Sequence, residues 1–256
     1  MTQETTIRVH LETPGWAIAV GLTVPREPAP LQLWLPFLQA LASEVSRQAG
    51  ESAAAAGRPV SCAKGCGACC RQLVAISLVE ARALAQLVAA MPQPRQDLIR
   101  HRFEAALARL SESGVLTRDY ADPDLEFPLA ETPQQRLAAA WFSLQIACPF
   151  LEDESCSIYE DRPLVCREHQ VTSPAAACSR LFREPVDRIE LPQRLGAALA
   201  RAATQVAGVS TATIPLLQSL DLPADVDAAL AQPRDPRQML ETLLGEIGEW
   251  RIEPAA

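Results

Sequence analysis

Cys62-Ala-Lys-Gly-Cys66-Gly-Ala-Cys69-Cys70 puts four cysteines into nine residues, with Gly65 and Gly67 on either side of Cys66. Glycine lets a backbone turn tightly enough for several sulfurs to face one ion or cluster. A second set, Cys148, Cys156, Cys166 and Cys178, is spaced too widely for a single turn, so only the fold can gather it. All eight cysteines of the 256-residue chain lie between positions 62 and 178, a clustering that argues against thiols used merely to fill a core. Loops that carry cysteines therefore decide the architecture.

Soft thiolates prefer zinc or iron–sulfur assemblies to magnesium or calcium, and four of them suit a tetrahedral zinc or a [4Fe-4S] cluster. Eight thiols permit two four-ligand sites, or one richly ligated site with cysteines to spare. Such centres are anionic and call for nearby cations. Lys64, the only lysine, sits inside the first group, Arg71 follows it, and Arg162, Arg167 and Arg180 flank the later cysteines. Lys64, Arg71, Arg162 and Arg167 are the candidates for charge compensation at the bound metal. His169, three residues after Cys166, is a candidate ligand or hydrogen-bond donor. His10 and His101 lack neighbouring cysteines and read as surface or packing residues.

Outward from the cysteines the sequence is mainly helical. Ile7, Val9 and Leu11, a turn at Thr13-Pro14-Gly15, then Ile18, Val20, Leu22 and Val24 alternate as a β-hairpin. Residues 31 to 48 read as a helix, and an alanine-rich stretch, 52 to 59, as a mobile link to the cysteines. Ser77 with Glu80 forms a capping-box pattern before Leu84 and Val88, and Thr132-Pro133 with Gln135 starts another helix. Between them, 115 to 131, with Asp122-Pro123 and Phe127-Pro128, reads as a crossing loop. Asp161 and Pro163 suggest a short helix with Cys166 one turn in. Beyond Cys178 come three helical stripes, around Leu195 and Leu199, around Ile214, Leu217 and Leu220, and from Met239 through Leu243 and Ile247 to Trp250. The expected fold is thus mainly α, an irregular helical metal-binding core with cysteine-bearing loops and a small N-terminal β-hairpin. Three parts are expected: 1–59, hairpin and helix; 60–190, the metal-binding core; 191–256, helices packing on that core.

With 48% hydrophobic and 21% charged residues the chain has material for a real interior. A net charge of −8 removes the bulk attraction that binding to nucleic acid or an anionic membrane requires. The first eleven residues lack the basic start and apolar run of a secretory signal, and no stretch approaches a membrane span. The expectation is a cytoplasmic protein in which cysteine spacing is read as a metal site before a disulfide framework.

The pattern Cys62-x3-Cys66-x2-Cys69-Cys70, then Cys148-Pro149-Phe150-Leu151, then Cys156-Ser-Ile-Tyr159-Glu160-Asp-Arg162-Pro163-Leu-Val-Cys166-Arg167, resembles the YkgJ-type cysteine-cluster family of zinc- or iron-chelating domains. The resemblance covers roughly residues 60 to 180 and implies a metal site built from these cysteines. One branch, the flagellin lysine methylases, looks like an iron–sulfur enzyme group, which sets an alternative: group transfer or redox chemistry at the cysteines. The spacing of Cys62, Cys66 and Cys69 also mimics the radical S-adenosylmethionine motif, but the alternating strands and helices of that barrel are missing. A further alternative is a metal-stabilised scaffold for a protein partner, with the Met239-to-Trp250 stripe as its docking face. No catalytic triad, phosphate-binding glycine loop or paired-histidine motif is present, so any enzyme activity would reside at the cysteines.

Overall fold

The computed structural model describes residues 4–13, 16–120, 129–191, 193–210, 212–247 and 250–254. Pro14, Gly15 and the 121–128 part of the expected crossing loop lie outside the described residues. The fold is mainly α with a small N-terminal hairpin. β1 (Glu4–Thr13) and β2 (Trp16–Pro25) pair antiparallel, with Val9 opposite Val20 and Thr13 opposite Trp16. Their alternation buries Val9, Ile18, Leu22 and Val24 on one face, which packs on α1 (Leu35–Ala55).

α1 runs through the alanine stretch expected to be a mobile link. Alanine loses the least on entering a helix, and the helix stops only where Gly57 takes a φ of +76°. The chain then reaches the cysteine nonapeptide, the short strand β3 (Ala75–Ser77), and α2 (Leu78–Ala89), whose capping box between Ser77 and Glu80 forms as the sequence suggests. α3 (Gln93–Glu112) and α4 (Pro133–Ser143) follow, α4 again with its capping box, Thr132 with Gln135. Two-residue strands β4 (Leu151–Glu152) and β5 (Ser155–Cys156) form a tight hairpin before α5 (Leu164–Glu168). α6 (Leu195–Ala207) buries Leu195, Leu199 and Ala202 and ends at Gly208 in the left-handed conformation.

The last two helical stripes are corrected in part. Pro215 ends a strand, β6 (Thr213–Pro215), which pairs with β3; a 3-10 turn at Leu216–Gln218 and then α7 (Ala224–Ala231) follow. α8 (Pro236–Gly245) carries Met239 and Leu243, but Trp250 opens a strand, β7 (Trp250–Pro254), that pairs with β1 and completes a sheet of order β2-β1-β7. Met239, Leu243 and Ile247 are buried in the largest core, together with α1, the sheet, α6 and Leu164 of α5. A second core around Ile76, Leu84, Phe103 and Phe150 has Cys148 and Cys156 packed on its margin. No helix among the described residues is long and apolar enough to cross a membrane.

Candidate metal centre

Four local structures carry five of the thiols, and connecting loops carry Cys62, Cys66 and Cys148. Ala68–Arg71 forms a 3-10 turn carrying Cys69 and Cys70, and it packs against a second 3-10 turn, Ala175–Arg180, that carries Cys178. The backbone N–H of Cys148 donates to the carbonyl of Cys70 at 2.7 Å, stitching the two cysteine groups together across the chain. Cys156 lies opposite Leu151 in the β4–β5 hairpin, and the Leu151 N–H bonds the Cys148 carbonyl at 2.9 Å. Cys166 sits on α5, and the N–H of Val171 just beyond it points to the Cys62 sulfur at 3.4 Å.

Two glycines make this possible. Gly65 adopts φ +88°, a conformation that side chains resist, inside the loop between Cys62 and Cys66. Gly67 lies against the turn of the β4–β5 hairpin, where an added β-carbon would stand 2.5 Å from Glu154 Oε2 and 2.8 Å from Leu151 Cδ1. Arg71 locks the same contact, donating to the Gly67 carbonyl at 3.0 Å and to Glu154 at 2.6 and 2.9 Å.

The thiols stand close enough to feel one another's charge. Cys70 donates to the Cys69 sulfur, which lowers the Cys69 thiol and holds the proton on Cys70, itself raised further by burial and by Cys148 and Cys166. Burial pushes Cys148 up to about 12, helped by Cys156 and Cys69. Cys166 is raised well above the ordinary thiol value by burial first and then by Cys148, Cys69, Glu80 and Cys156. Burial raises Cys178 too, with Cys62, Cys66 and Cys69 as its charged neighbours. Cys62 reaches solvent, yet the protein around it raises its thiol, with Cys69 and Cys66 adding to the effect. Each of the eight cysteines thus has at least one other thiol as an electrostatic neighbour.

The expected cations divide. Arg162 opposes the raising of Cys62 and Cys156 and helps lower Cys69; its guanidinium lies over the Tyr159 ring at 3.9 Å, and its buried Nε has no hydrogen-bond partner among the described residues. Arg167 acts on Cys156 while donating to the carbonyls of Arg162 and Glu160. Arg71 is paired with Glu154, Arg180 with Glu184 at 2.5 Å, and Lys64 is exposed with no hydrogen bond or ion pair among the described residues. His169 is held neutral, its pKa lowered to about 4 by burial and then by Arg188 and Arg194.

Three contributors escaped sequence reasoning. Arg188 opposes the raising of Cys178. Gln72 lines a small cavity with Cys70 and Cys148, and its buried Nε2 has no partner among the described residues. Glu80, which the sequence offered only as a helix cap, reaches across to accept the Leu164 N–H at 2.7 Å and so caps α5. Asp161, the cap expected there, instead ends a 3-10 turn, and α5 has no cap from its own N-cap residue.

Among the described residues, no group of three or more His, Cys, Asp or Glu side chains is already arranged to hold a metal ion. The donor set fits a thiophilic metal by its chemistry, free thiols with charged arginine beside them, while closing on an ion requires the sulfurs to turn toward a common point. Residues 61–184 match the family described as "CxxCxxCC: Putative zinc- or iron-chelating domain". This chain sets three residues between its first two cysteines where that pattern has two, and Gly65 stands in the lengthened loop. Comparison with curated proteins and with solved structures finds no match.

Proposed function

We propose that the 61–184 segment, which matches the CxxCxxCC chelating-domain family, binds metal through its cysteines as zinc or as an iron–sulfur centre. The observation that carries this reading is that the fold brings distant cysteine segments together: the Cys148 N–H bonds the Cys70 carbonyl, and the 3-10 turn with Cys69 and Cys70 packs on the turn with Cys178. Bringing sulfurs together costs burial and repulsion, and a thiophilic cation offsets both by taking the thiolates as ligands.

The neighbourhoods support two sets of four. Cys62, Cys66 and Cys69 are the neighbours of Cys178, across the packed 3-10 turns. Cys70 groups with Cys148 and Cys166, and Cys148 with Cys156. Cys69 feels both sets, so the two centres would be adjacent. Arg162 and Arg167 supply the compensating positive charge, and a bound metal of either kind would fix these loops and contribute stability of the order of the fold itself, roughly 10 kcal/mol. Metal and acid-labile sulfide measured per chain after purification without oxygen test the reading. Bound zinc, or iron with sulfide, is expected; a folded chain that carries neither would refute it.

A further inference from the structure

We propose that strand β2 is a self-association edge: two copies of the chain join by antiparallel β2–β2 pairing into one six-stranded sheet. β2 is an outer strand of the sheet β2-β1-β7. With Thr13 opposite Trp16 across a two-residue connection, the alternation of an antiparallel ladder turns the backbone groups of Ile18, Val20, Leu22 and Val24 to β1. Those of Ala17, Ala19, Gly21 and Thr23 point outward, and their N–H groups have no protein partner among the described residues. Exposed to solvent, such a row bonds water, and it is also the template on which another strand pairs.

The side chains are consistent with a second copy in that place. From Trp16 to Pro25 there is no charged residue, whereas β1 carries Glu4, Arg8 and Glu12. Natural sheets guard exposed edges with charge, proline or bulges, and over ten residues β2 has only its terminal proline. Its residues 17, 19, 21 and 23 are exposed and small, the apolar Ile18, Val20, Leu22 and Val24 would meet their counterparts on the other face, and no like charges stand opposite one another because the strand carries none. The other edge differs: β7 is five residues long, includes two charged residues and ends in proline. Growth of a filament by β2 on β7 is therefore disfavoured, and pairing of like edges closes on a two-fold axis.

Light scattering of the metal-loaded full chain is expected to give twice the 27.7 kDa chain mass. Ala19→Pro removes an outward N–H without touching a bond to β1, and Gly21→Lys enters open space, since nothing lies within 4 Å of an added β-carbon. Each should raise the dimer dissociation constant at least tenfold while leaving metal content and circular dichroism unchanged. Hydrogen exchange at Ala17, Ala19, Gly21 and Thr23 should be slow in the dimer and fast on dilution. A monomer at every concentration, a dimer that survives both substitutions, or an open series of larger species would overturn the proposal. Metal content, read on the same samples, separates this result from the fate of the chelation reading.

Discussion

Gly67 and Arg162 show how single residues set the centre. Gly67→Ala forces the β4–β5 hairpin away from the cysteine loop, because Glu154 and Leu151 occupy the space its β-carbon needs. Chemical denaturation should show a loss of roughly 1–3 kcal/mol. Gly65→Ala meets no neighbour and is penalised only by its φ of +88°, so its loss should be smaller, about 1 kcal/mol. Arg162→Gln leaves the packing of that corner largely in place but removes the charge facing Cys62, Cys69 and Cys156. Competition with a chelator should report metal affinity lower by roughly 10–100-fold, the usual effect of losing a partner of metal ligands. Unchanged affinity would remove Arg162 from the centre.

At the scale of elements, two buried carboxylates tie helices to the cysteine segment. Glu80 accepts from Ser77 and from Leu164, and Glu168 accepts from Leu195 and Gly196, so α2, α5 and α6 are joined end to end. Glu80→Ala would leave buried donors unmet and should cost about 3 kcal/mol in a denaturation series. Glu152 ties α3 to β4 through Arg95 and Arg102, which hold its carboxyl below the ordinary range. Its small contribution is complete above the unfolded value of about 4.3 and is lost as pH falls through the lower folded value. Glu152→Gln should therefore flatten acid unfolding slightly and cost at most about 1 kcal/mol at neutral pH. The hairpin and both capping boxes were legible because their signals are local. The cap of α5 was not, since Glu80 lies 84 residues from Leu164. Nor was β7: its few residues follow an apolar helical stripe, and only pairing with β1 makes them a strand. Gln72 offered no signal at all, as its meaning comes from a cavity shared with Cys70 and Cys148.

For the whole molecule, the largest core draws on both ends of the chain, so the terminal elements are structural partners of the cysteine segment. Deleting α8 and β7 after Gln232 removes Met239, Leu243 and Leu244 from that core and should give an aggregating product; a soluble, folded one would contradict the packing described. The cysteine positions were plain in the sequence, but which thiols neighbour one another depends on the packed 3-10 turns and the Cys148–Cys70 backbone bond. The claim that these thiols are ligands is tested most directly by alkylating the protein as isolated, with and without prior chelation, and reading each cysteine by peptide mass spectrometry. Cys62 is exposed and Cys66 half-buried, so as free thiols both lie within reach of an alkylating reagent, which the metal-free sample calibrates. Both are expected to be protected until the chelator is added, along with cysteines of the downstream set. Equal, rapid labelling of Cys62 and Cys66 before and after chelation would contradict it.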